Sequence, residues 1–129
     1  MRQIFVAAIA GAVLSLGTSM ALAQTAEPAK AADTAKGKVL VDAKGMTLYL
    51  RDSDPPGKSG CNAQCAINWP PLLASADAKD AGSWTVITRD DGGKQWAYKG
   101  KPIYFWKDDK KPGDFDGDNR NNVWHVVAP

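Results

Sequence analysis

Residues 37–74, GKVLVDAKGMTLYLRDSDPPGKSGCNAQCAINWPPLLA, return without a gap 55 positions later as residues 92–129, GGKQWAYKGKPIYFWKDDKKPGDFDGDNRNNVWHVVAP. Gly37, Lys44, Gly45, Tyr49, Asp54 and Trp69 fall on Gly92, Lys99, Gly100, Tyr104, Asp109 and Trp124, and Leu48, Leu50 and Leu72 fall on Ile103, Phe105 and Val127. Six identities in 38 positions carry little weight as a count. Their types decide, because turn glycines, tyrosines and tryptophans hold one spacing. Two copies of a supersecondary unit that needs its twin to bury a core account for it.

Within and between the copies, strand signals dominate. Lys38–Val41, Thr47–Arg51, Trp84–Thr88, Gln95–Tyr98, Ile103–Lys107 and Val123–Val127 are rich in branched and aromatic side chains. Asp42-Ala43-Lys44-Gly45, Asp90-Asp91-Gly92-Gly93 and Lys99-Gly100-Lys101-Pro102 are turn-formers, so hairpins follow. One or two helical turns fit around Cys61–Asn68, ended by Pro70 and Pro71. The fold class expected is all-β. Two tandem hairpin-containing repeats, 37–74 and 92–129, are joined by 75–91 and related by a pseudo-two-fold in one small domain, 37–129. Alternation puts Leu48 with Leu50, and Ile103 with Phe105, on a core face. Tyr49 with Arg51, and Tyr104 with Trp106, face the other way, and Arg51 makes that second face partly wet in this reading.

Working outward, residues 1–23 read as a cleaved export signal: Arg2, an apolar run from Ile4 to Leu16, then Ala21-Leu22-Ala23. No later stretch is apolar enough for a membrane span. Residues 24–36, QTAEPAKAADTAK, offer no large apolar side chain and read as a flexible leader. Without Arg2 the chain has fifteen basic and fourteen acidic residues, a net charge of +1, which makes no electrostatic case for nucleic acid. A domain this small buries only roughly 60–65% of its surface, so staples help. Cys61 and Cys65, the only cysteines, are expected to pair as a disulfide in an oxidising compartment. A loop this short contributes about 2 kcal/mol.

These motifs together resemble a bacterial secreted-repeat family, often lipoproteins, marked by a Tyr-x-aromatic-x-x-Asp pattern. Tyr104-Phe105-Trp106-Lys107-Asp108-Asp109 fits it fully; Tyr49-Leu50-Arg51-Asp52-Ser53-Asp54 has Arg51 in the aromatic place. Cys-x-x-x-Cys before Asn68-Trp69-Pro70-Pro71-Leu72, and Lys111-Pro112-Gly113-Asp114 before Val123-Trp124-His125-Val126-Val127, are similar as well. The resemblance spans nearly all of residues 37–129 and implies no established activity. No cysteine near the cleavage site is available to accept a lipid, so no lipid anchor is expected.

Tyr49, Asp54, Tyr104 and Asp109 are read first as scaffold, the hydroxyls tying down loops and the carboxylates bracing turns; a ligand site in each repeat is the alternative. Trp69 and Trp124 are expected in the core, and burial is favoured over a surface strip for Trp84, Trp96 and Trp106. Asp114, Asp116 and Asp118 present alternating oxygens suited to calcium. However, Asn119 stands where the sharp-turn glycine belongs and His125 where the closing glutamate belongs. Cys61, Cys65 and His125 form a thiol–thiol–imidazole set of the kind copper takes. Against it, the repeat maps the cysteines onto Asp116 and Arg120, and His125 onto Pro70. No nucleophile with an evident base and no phosphate loop is present, so an enzyme is not expected. The reading is a non-catalytic periplasmic or secreted binding or envelope-associated module, its partner an envelope protein or small ligand. It needs no cofactor; metal handling, with copper or calcium, is the alternative.

Overall fold

The computed structural model describes residues 26–129, so the signal peptide read over 1–23 lies outside the described residues. Among the described residues the regular structure is mainly strand: β1 (Lys30–Thr34), β2 (Gly37–Val41), β3 (Tyr49–Arg51), β4 (Trp84–Thr88), β5 (Lys94–Tyr98), β6 (Lys101–Tyr104) and β7 (Trp124–Val126). A short helix, α1 (Gln64–Asn68), and a 3-10 turn at Arg120–Asn122 complete it. All strand pairs are antiparallel, in a β1-β2 hairpin and a five-stranded sheet of order β4-β5-β6-β3-β7.

The doubling is visible in the backbone. β3 and β6 lie side by side with Tyr49 opposite Tyr104, so the local two-fold runs between equivalent residues. Hydrogen bonds recur at the repeat offset. Asp52 N donates to Val123 O at 2.8 Å and Lys107 N to Asn68 O at 3.1 Å; Leu72 N donates to Ile103 O at 2.9 Å and Val127 N to Leu48 O at 3.3 Å. Gly45 and Gly100 end equivalent turns at φ +86° and +85°, a region that side chains other than glycine enter at a cost. The copies differ by one residue of register. Lys30 faces Val41, whereas its equivalent Thr85 faces Ala97 rather than Trp96.

Two expectations are corrected. The leader is not flexible throughout: from Lys30 it forms β1, paired along its length with β2. Strand pairing is satisfied by main-chain donors and acceptors and needs no large side chain from β1 itself. The buried Val39, Leu40 and Val41 of β2 hold the hairpin to the domain. Each unit therefore begins one strand earlier than 37 and 92, with β1 and β4 as counterparts.

The second correction concerns the tyrosine face, which is covered except at Arg51. Tyr49 and Tyr104 are fully buried, and Arg51 is half-buried. One core, on the face read as apolar, joins Leu40, Leu48, Leu72, Trp84, Trp96, Ile103 and Val127. A second core, on the tyrosine face, joins Tyr49, Cys61, Trp69, Tyr104, Trp106 and Trp124. Alternation along a strand reveals which residues share a face, and the loops that return over that face decide its wetness.

Gly117 shows how tightly the second core is filled. A Cβ there would lie 2.9 Å from Trp69 Cη2 and from Tyr49 Cζ, and 3.0 Å from Trp106 Cβ. These are ring and backbone-adjacent atoms with little room to retreat. Gly117→Ala is expected to lower stability by about 1–3 kcal/mol, read from the urea midpoint. An unchanged midpoint would mean that the rings yield.

Candidate functional site

The two tyrosine–aspartate motifs meet, but not within their own repeats. Tyr49 Oη donates to Asp109 Oδ2 at 2.5 Å, and Tyr104 Oη donates to Asp54 Oδ2 at 2.5 Å. Each repeat's tyrosine thus closes on the other repeat's aspartate. The second oxygen of each carboxylate accepts a loop N–H: Gly60 N to Asp54 Oδ1 at 2.9 Å, and Asp116 N to Asp109 Oδ1 at 3.0 Å. The carboxylates brace loops as expected, and the hydroxyls lock the halves together.

The surroundings of the two braces differ in charge. Asp54 also carries the Arg51 guanidinium at 2.9 Å. Tyr104 Oη lies 2.6 Å from Ser59 Oγ, which accepts from the buried Arg89 Nη1 at 3.2 Å. Arg89 further reaches Gln95 Oε1 at 2.7 Å and Cys61 O at 2.8 Å. On the other side, Tyr49 Oη accepts from Gly117 N at 3.2 Å, and Asp109 is grouped with Asp114 and Asp116 within 4.8 Å. Burial pushes the Asp109 carboxyl above its usual range, and the two neighbouring aspartates add to this.

Burial also pushes both phenols well above the ordinary 10.0, reinforced by their hydrogen bonds to the carboxylates. The folded chain therefore keeps protons that the unfolded chain loses above pH 10. The contribution of these groups is whole below that pH and declines as pH rises past it. The expected slope is about 1.4 kcal/mol per pH unit for each tyrosine, measured by urea unfolding on either side of pH 10. Tyr49→Phe should flatten the slope.

All five tryptophans are buried, and three form a stack. Trp69 and Trp124, repeat equivalents, lie parallel at 3.8 Å and 3°, with Trp106 against the far side of Trp69 at 4.3 Å. Tyr49 meets Trp69 edge-on at 5.4 Å, and Tyr104 meets Trp124 likewise at 5.1 Å. Cys61 and Cys65 are joined as a disulfide, and Trp69 N donates to Cys65 O at 2.7 Å. The staple thus sits at the root of the stack.

The metal readings fare unevenly. Among the described residues, the one group of three or more potential metal-ligating side chains is Asp109, Asp114 and Asp116. Asp118 is elsewhere, accepting Val126 N at 3.0 Å and meeting Lys36 at 3.1 Å. Asp114 is held by Lys111 at 2.8 Å and by Lys110 N, which keep its carboxyl below the usual range. His125 pairs through Nε2 with Asp52 at 2.7 Å and through Nδ1 with Asn119 at 3.0 Å. It forms no ligand group with the cysteines, whose sulfurs are spent on each other. Sequence reasoning missed Arg89, Ser59 and Gln95. The only signal was an arginine after a strand of branched residues, and that pattern suits a solvated turn equally well.

A double-repeat β-domain, cross-braced between halves and closed by a disulfide, is the class that this geometry defines. One family model, described as a secreted repeat of unknown function, matches residues 30–73 and again residues 85–128. The chain belongs to that family. The two matches stand at the same offset as the motifs, and the first begins at β1. No curated protein matches, and no solved structure matches. Among the described residues, no helix is long and apolar enough to cross a membrane.

Proposed function

We propose that the chain is a non-catalytic binding or envelope-associated module that works in the periplasm. The observation that carries this reading is the mutual engagement of its reactive side chains. Both tyrosine–aspartate pairs are closed on each other in the interior, the cysteines are oxidised, and both nitrogens of His125 are occupied. The motif then serves as scaffold, and recognition belongs to the surface. Among the described residues Ile67 on α1 and Leu73, bridged to Gln95 of β5, are the large apolar side chains left most open, 64% and 62% exposed. As the large apolar side chains most open to solvent, they are the surface at which contact with an envelope partner is tested.

The test is fractionation of cells that carry Ile67→Asp with Leu73→Asp, after the melting temperature is shown to match wild type. Movement from the envelope to the soluble periplasmic fraction is expected; an unchanged distribution would overturn the reading. Metal handling is the weaker reading, because the oxygens of Asp109 and Asp114 already accept hydrogen bonds from the protein.

A further inference from the structure

The second core is symmetric in geometry and asymmetric in charge, and this combination has a chemical consequence. The order through the stack is Arg51, Trp124, Trp69, Trp106, Arg120. The guanidinium carbons lie 5.9 Å from the Trp124 ring and 4.4 Å from the Trp106 ring. Indoles in such contact share π-density, and indole is among the side chains most easily oxidised by one electron. A positive hole placed in the stack is repelled by a fixed cation at each end. Trp106 does not readily discharge it as a proton either, because its Nε1–H is buried and has no acceptor among the described residues.

Two phenols border the stack at almost equal distances, 5.4 Å for Tyr49 and 5.1 Å for Tyr104. Each gives a hydrogen bond of 2.5 Å to a carboxylate, so each is set to lose an electron and a proton together. Distance does not choose between them, but charge does. Asp54 is already compensated by Arg51 and Gly60 N, and Tyr104 Oη shares Ser59 with the buried Arg89. Among the described residues Asp109 has no arginine or lysine in ion-pair contact, and it lies beside Asp116 and Asp114, of which only Asp114 is paired, with Lys111; the net negative surroundings favour arrival of a proton. The carboxylate without a cation of its own is the proton acceptor.

We propose that Trp106, Trp69 and Tyr49 form a one-electron relay that carries an oxidising hole from Trp106, the most exposed of the three stacked indoles, to Tyr49, with Asp109 taking the phenolic proton. The oxidant class is an oxygen-centred radical such as a peroxyl. It gains one electron from Trp106 and a proton from water, and becomes a hydroperoxide. Trp106 is refilled from Trp69, and Trp69 from Tyr49. The Tyr49 O–H proton passes along its hydrogen bond to Asp109 Oδ2. One electron has left Tyr49 and one has reached the oxidant, so the products are a neutral tyrosyl radical and a protonated carboxyl in the protein, with a hydroperoxide and hydroxide in the solvent. The activity would make the domain an oxidant sink, a role separate from surface binding.

The experiment uses the folded chain with Tyr98, the third tyrosine, replaced by phenylalanine, and a photogenerated ruthenium(III) polypyridyl as oxidant. Freeze-quenched electron paramagnetic resonance reads the radical. A tyrosyl signal is expected with Tyr98→Phe alone and with added Tyr104→Phe. With added Tyr49→Phe it should fall by about tenfold or more, the scale set by a unit charge at this range. Equal signals in the two double variants, or the larger loss with Tyr104→Phe, would overturn the proposal. Unsubstituted protein provides a check that does not depend on any variant folding. After peroxyl exposure, peptide mapping should find oxidised ring on Tyr49 in preference to Tyr104; the reverse, or an even split, overturns it.

Discussion

Arg89→Met is expected to lower stability by about 3 kcal/mol, although the substitution keeps a long side chain that suits a core. The Arg89 side chain is 1% exposed and donates to Ser59 Oγ, Gln95 Oε1 and Cys61 O. Its loss strands Gln95 Oε1 and Cys61 O, each of which costs about 1–2 kcal/mol without a partner, whereas Ser59 Oγ keeps Cys61 N and Tyr104 Oη. The carboxylate beside it contributes far less. Asp91 reaches Arg89 Nε at 3.2 Å, but its side chain is 60% exposed and screened by water. Asp91→Asn is therefore expected to move the urea midpoint much less than Arg89→Met. Equal losses would show that the ion pair, and not the network of neutral acceptors, holds the arginine in place.

Trp69→Ala carries the largest expected effect, about 3–5 kcal/mol. The Trp69 ring is 6% exposed and touches Trp124, Trp106 and Tyr49 at once, with Gly117 beneath it. Removing it leaves a cavity whose walls are stiff rings, and these collapse poorly. Against a total stability of roughly 5–15 kcal/mol for a domain of this kind, that loss is severe. The near-ultraviolet circular dichroism should lose the coupled signal of two parallel indoles, and chemical unfolding gives the free energy. The two-fold adds a condition: Trp124→Ala, at the equivalent position, should cost nearly as much. A much smaller loss for Trp124 would mean that the halves share the second core unequally.

Much of the architecture was legible because the repeat preserves residues with narrow physical roles. Glycines at Gly45 and Gly100 mark turns with positive φ, and branched runs mark strands. Large rings in a small exported domain are absorbed by burial. The disulfide followed from compartment and from the presence of only two cysteines. Other features were not legible. β1 is made of small and charged residues, so neither hydrophobicity nor alternation marks it, and only its ladder with β2 reveals it. Arg51 suggested water on the tyrosine face. The loops carrying Cys61 and Gly117 return over that face and make it a second core. The acidic loop divides, with Asp114 and Asp116 drawn to Asp109 and Asp118 drawn to Lys36 and Val126.

The amino-acid sequence by itself determined that there are two β units, which residues are equivalent and which side chains demand burial. These depend on local chemistry and on spacing along one chain. Only the tertiary structure decided that each tyrosine closes on the opposite aspartate, and that one of those carboxylates is paired with a cation while the other is not. A duplicated sequence contains each partner twice, and pairing within a repeat is as compatible with the spacing as pairing across the two-fold. The choice is made where β3 meets β6: with Tyr49 opposite Tyr104, each ring points toward the loop of the other half.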